Sequence, residues 1–181
     1  MAKKIKLLAT LFTVSTILLF FIYSNSKNPF WLSSTITAGT FSYHFLMRLC
    51  VGWIIDLIMH NRANLDNPWY QLHKFETKLY TWLKIKKWKR KMPTYSPELF
   101  DASKRSYAEI AQSMCQAEIV HECIMILSFL PVLLVPLFGA FWVFFLTSTA
   151  AAFYDSIFVM IQRYNRPRII KLMYKKIESN S

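Results

Sequence analysis

Glu118, His121 and Glu122 are the residues of this chain best suited to do chemistry. On a helix they stand at i, i+3 and i+4, so their side chains share one face. A carboxylate beside an imidazole fixes its tautomer and stabilises its protonated form, as required when histidine takes a proton from a hydroxyl nucleophile. A second polar cluster, Gln162-Arg163-Tyr164-Asn165-Arg166-Pro167-Arg168, follows an apolar run that ends at Ile161. Its three guanidinium groups could grip a phosphate through paired hydrogen bonds, as an acyl-coenzyme A or a phospholipid would require. Both clusters also have plainer readings. An interfacial histidine can simply hydrogen-bond a neighbour, and arginines behind a last membrane span commonly act as cytoplasmic anchors.

The histidine and cysteine spacings disfavour metal chemistry. Glu118-x-x-His121 is half of a carboxylate-bridged di-iron motif, but no second copy exists. His121-Glu122 does not open H-E-x-x-H, because position 125 is methionine. Cys50, Cys115 and Cys123 form no C-x-x-C pair, and an odd number argues against a disulfide framework. They read as small buried hydrophobes.

Membrane helices must hold these groups in place. With 54% hydrophobic residues, 17% aromatics and three glycines in 181 residues, the chain is too apolar for an ordinary soluble domain. The expectation is an all-α integral membrane protein of one domain, spanning at about 7–23, 35–59, 118–135 and 141–161. Lys3, Lys4 and Lys6 precede the first span, for which a signal peptide with a weak cleavage pattern at Tyr23-Ser24-Asn25-Ser26 is the competing reading. The second span carries His44, Arg48 and Asp56. Arg48 and Asp56 lie two turns apart on roughly one face, which suits a protein interior, or for Asp56 snorkelling at a helix end. The fourth has one charge, Asp155, and small residues from Thr147 to Ala152 that let helices approach.

The connection over 60–117 is polar and basic. Its stretch Thr77 to Met92 mixes Leu79, Trp82, Leu83, Ile85 and Trp88 with Lys84, Lys86, Lys87, Lys89, Arg90 and Lys91. That mixture predicts an amphipathic helix in the headgroup region of an anionic leaflet, with Trp82, Lys86, Lys87, Trp88, Lys89 and Arg90 at the interface. Ser96-Pro97-Glu98 predicts a helix start that runs on into the third span, until Pro131 and Pro136 kink or end it. Phe138-Gly139-Ala140 marks a tight return.

The net charge of +12 is dispersed among apolar segments and forms no single basic face. It favours anionic lipid headgroups and phosphorylated substrates over nucleic acid. Three basic residues precede the first span, eleven lie in the connection and six follow Ile161. Both termini and the connection are therefore expected in the cytoplasm. Spans three and four then form an antiparallel hairpin that merges the two polar clusters into one site.

The chain resembles the glycosyl-4,4'-diaponeurosporenoate acyltransferase family of carotenoid biosynthesis. The resemblance rests on Trp88-Lys89-Arg90-Lys91, Ala117-Glu118-Ile119-Val120-His121, Leu130-Pro131-Val132 and, most specifically, Gln162 through Arg168 followed by Ile169, within roughly residues 64 to 175. It implies a bacterial cell-membrane enzyme that esterifies a sugar hydroxyl of a glycosylated carotenoid acid. The resemblance further implies His121 as base, oriented by Glu118, with Arg163 and Arg166 holding the donor or the developing oxyanion and Asn165 as a neutral donor in the same role. Gln162, Tyr164, Arg168 and Glu122 complete the candidate substrate-binding set. No cofactor is implied beyond an acyl donor such as acyl-coenzyme A. Partners would be membrane lipids and the lipid-like acceptor, with a homo-oligomer or a complex of pathway enzymes left open. An acyltransferase acting on another glycolipid or phospholipid, or a non-catalytic membrane subunit, would share many of these features.

Overall fold

A computed structural model describes residues 2–89, 92 and 94–179. Arg90 and the side chain of Lys89 lie outside that description. Among the described residues every regular element is helical. Four helical stretches, Ala2–Ser26, Pro29–Met59, Tyr107–Phe138 and Phe141–Glu178, are long and apolar enough to cross a membrane. The fold is that of an all-α membrane protein, and the expected spans fall within these stretches.

The helix ends differ from expectation for local reasons. Between α1 (Ala2–Ser26) and α2 (Pro29–Met59), Lys27 takes a left-handed φ of 54°. Asn28 Oδ1 then accepts the Phe30 N–H at 2.9 Å and Pro29 opens the helix. This N-cap and N1 proline start α2 before the predicted residue 35. The single helix expected across Thr77–Met92 is two, α3 (Lys74–Trp82) and α4 (Ile85–Lys89), separated by Lys84 at a left-handed φ of 54°. Ser96-Pro97-Glu98 opens only a 3-10 turn, Pro97–Phe100. The long helix starts later, as α5 (Tyr107–Leu127), where Ser106 and Glu109 cap each other through backbone N–H groups at 3.3 and 2.8 Å. Pro131 then falls in a 3-10 turn, Leu130–Leu134, followed by the short α6 (Val135–Phe138). Gly139, at a φ of 67°, makes the return into α7 (Phe141–Glu178).

The chain divides into two compact units, one holding the segment up to Gly52 with Cys123–Asp155, the other Trp53–Glu122 with the segment from Ser156 onward. In the first unit, Phe12 of α1 stacks on Phe41 and Phe45 of α2, and the Thr13 and Ser42 hydroxyls meet at 2.7 Å. The Tyr43 hydroxyl donates to the Leu127 carbonyl at 2.7 Å, satisfying an acceptor at the end of α5. Arg48 ion-pairs with Asp155 of α7. Asp56 is not its partner: it is exposed and accepts from Gln116 Nε2 at 2.9 Å in the second unit.

The second unit packs α3 and α4 against α7. Tyr80, Ile85 and Ile161 are buried together, with Leu72, Trp88, Met160 and Tyr164 partly buried against them. Ile85 is 0% exposed. Trp88 therefore faces this core, while Trp82 is 76% exposed.

Candidate active site

Arg163 organises the second unit. Its Nε–H and one Nη2–H donate to the two carboxylate oxygens of Glu76 at 2.6 and 2.9 Å. The other Nη2–H reaches the Gln71 carbonyl at 3.1 Å. The two Nη1 donors reach the Trp69 carbonyl at 2.8 Å and Glu118 Oε1 at 2.5 Å. A guanidinium has five N–H donors, so Arg163 is saturated by the protein itself. Arg166, 1% exposed, donates to Glu118 Oε2 and to the Tyr70 carbonyl, and its guanidinium lies 5.1 Å from the centroid of the Tyr70 ring.

Glu76 completes this network at the start of α3. It accepts the His73 backbone N–H at 2.8 Å and the Tyr80 hydroxyl at 2.8 Å besides its two bonds from Arg163. Burial alone would raise its pKa, but the hydrogen bonds from Arg163, His73 and Tyr80 prevail and hold it down to about 2. The Tyr80 hydroxyl is pushed up, first by burial and then by donating to that carboxylate. Two arginines face two glutamates here, so their charges balance. The expected phosphate grip by Arg163 and Arg166 meets a closed, neutral network that binds the loop before α3 to α5 and α7. A buried array of this kind is costly to break and fixes geometry.

His121 lies half-buried on α5, one turn beyond Glu118, its ring stacked nearly parallel on Phe158 of α7 with centroids 4.6 Å apart. Glu122 accepts the indole N–H of Trp69 at 3.1 Å. Asn165 is buried and donates to the Ile161 carbonyl at 2.6 Å. Gln162 and Tyr164 are half-buried. Arg168 is exposed, its guanidinium 4.1 Å from the Tyr164 ring centroid and donating to that hydroxyl at 2.7 Å. The structure thus unites Glu118, Arg163 and Arg166 directly, while both oxygens of Glu118 are committed to the arginines.

Residues 66–175 match the glycosyl-4,4'-diaponeurosporenoate acyltransferase family. The chain belongs to that family. It is an acyltransferase of carotenoid-glycoside biosynthesis and a membrane protein. No curated protein and no solved structure matches it.

The matched region of the acyltransferase contains the whole arginine network together with His121, Glu122 and Phe158. Among the contributors to this site that escaped sequence reasoning are Glu76, Trp69, Phe158 and the carbonyls of Tyr70 and Gln71. Glu76 did leave a trace, as the one acidic residue between Asp66 and Glu98 in a strongly basic segment, three positions after His73. Trp69 and Tyr70 left none, because both act partly through a backbone carbonyl.

Proposed function

We propose that this acyltransferase esterifies a sugar hydroxyl of a glycosylated carotenoid acid with a fatty acyl group, using His121 as general base. The observation that supports this most is a half-buried imidazole held flat on Phe158, one helical turn from a buried, charge-balanced network that fixes α5 against α7. A neutral His121 nitrogen takes the hydroxyl proton as the sugar oxygen attacks the carbonyl carbon of an acyl thioester. The tetrahedral intermediate collapses with cleavage of the C–S bond, and the imidazolium returns the proton to the leaving thiolate. Glu118, Arg163 and Arg166 act as positioning residues that hold the helix carrying His121. Arg168, exposed at the end of this cluster, is the residue offered for the phosphates of a coenzyme A donor.

The same reading places the protein in the bacterial cell membrane with both termini in the cytoplasm. Its support is the distribution of Lys and Arg around four helices of spanning length. Exposed Phe75, Leu79 and Trp82 on α3, with exposed Lys78, Lys86 and Lys87, suit a headgroup layer. Trp88, packed inward, does not join them.

Mass spectrometry of lipids from cells making a glycosylated carotenoid acid tests the activity. A mass increase of one acyl group with the native chain, absent with His121→Ala, supports the acceptor and the base together. An acyl group found on a different glycolipid or phospholipid would replace the acceptor and leave the enzyme class standing.

A further inference from the structure

Trp69 combines exposure with fixation. The residue is 59% exposed, yet it is tied down at three points. Its backbone N–H donates to Asn67 Oδ1 at 2.9 Å, its carbonyl accepts from Arg163 Nη1 at 2.8 Å, and its indole N–H donates to Glu122 Oε2 at 3.1 Å. The bond to Asn67 is the N-cap of the 3-10 turn Pro68–Tyr70, which has Pro68 at its first position and is stiffened by it. The network that immobilises Arg163 therefore also holds an open aromatic face, and the side chain steadying the indole is the neighbour of His121.

We infer that Trp69 is the platform on which the sugar ring of the acceptor stacks. The inference rests on the acyl-transfer reading above and assigns the acceptor side of that site. One face of a pyranose presents C–H groups with slight positive charge, which match the negative face of an indole. Fixing the ring beforehand removes the entropy cost of ordering it on binding. Glu122 gives only one of about four carboxylate acceptor positions to Trp69 and can accept from a sugar hydroxyl with another. A ring laid over Trp69 with a hydroxyl on Glu122 brings a neighbouring hydroxyl toward His121, where a proton must be removed. The long apolar tail of such an acceptor needs no polar partner and extends along the bilayer.

The test uses the full chain in lipid nanodiscs, with octyl β-D-glucopyranoside and octanol as probes, in native, Trp69→Ala and Trp69→Phe forms. Saturation-transfer NMR is expected to show transfer from protein to the sugar C–H protons in the native chain, loss in Trp69→Ala and retention in Trp69→Phe, with octanol unaffected. In turnover with a glycosylated acceptor, Trp69→Ala is expected to raise the acceptor KM about tenfold, with a smaller fall in kcat and an unchanged donor KM. Equal sugar saturation and equal acceptor KM in native and Trp69→Ala proteins would overturn the assignment while leaving the acyl-transfer reading intact. A parallel loss for octanol and glucoside would make Trp69 a bilayer anchor and likewise overturn it. Normal sugar stacking without any acyl transfer would retain the platform and sink the reaction instead.

Discussion

Arg163 and Glu76, 87 residues apart in sequence, meet in a paired ion contact with N–O distances of 2.6 and 2.9 Å. The pair ties α3 to α7, and Arg163 continues to Glu118 on α5. Removing one member leaves a buried charge without its partner. Glu76→Gln is expected to lower stability by about 3 kcal/mol, read by thermal unfolding in detergent. Exchanging the two residues, Glu76→Arg with Arg163→Glu, should recover only part of that loss, because Trp69, Gln71 and Glu118 also need the guanidinium.

Acid should dissolve the same contact. The Glu76 carboxyl lies at about 2 in the folded protein against an ordinary 4.5, a depressed value. Its contribution is therefore complete above about pH 4.5 and fades as pH falls toward 2. The stability difference between native and Glu76→Gln proteins should hold steady from pH 7 to 5 and then narrow, since a protonated Glu76 resembles glutamine. A difference that stayed constant down to pH 2.5 would contradict this.

His121 and Glu118 should separate in their effects. His121→Gln is expected to cut kcat by about 10²- to 10⁴-fold and leave the unfolding midpoint nearly unchanged. Glu118→Gln takes from Arg166 its carboxylate partner in a buried site and leaves Arg163 with Glu76 alone, so activity and stability should fall together. Matched activity and melting measurements on the two variants check the assignment of base and positioning residue.

Within the first unit, Asp155 is 1% exposed beside Arg48. Asp155→Asn or Arg48→Ala alone should each cost about 3–5 kcal/mol, whereas Arg48→Met with Asp155→Leu should recover most of it, because a buried ion pair is roughly matched by an apolar pair of similar volume. A double-mutant cycle on unfolding in detergent gives the coupling.

Single-tryptophan variants in vesicles distinguish the two faces of the basic segment. Trp82, 76% exposed, should be quenched by lipids brominated near the headgroup end of the acyl chain. Trp88, packed with Tyr80, Ile85 and Ile161, should resist quenching. Equal quenching of both would refute the assignment of the faces.

The sequence by itself determined the class and plan of this protein. Apolar runs of spanning length, the Pro131 and Pro136 breaks and the Gly139 return are local signals, and the structure bears each of them out because backbone in lipid must form helices. The family was legible for a similar reason, since it rests on ordered short motifs. Helix boundaries were read less well where competing caps lay close together, as at Ser96 and Ser106. Only the tertiary structure decided who pairs with whom. Arg48 and Asp56 share a helix, yet the partner of Arg48 is Asp155, 107 residues away. Arg163 and Arg166 read as part of an open phosphate grip until Glu76 and the carbonyls of residues 69–71 are placed around them. Ion pairing in a buried site depends on through-space distance and on which donors remain unspent. A linear sequence records neither.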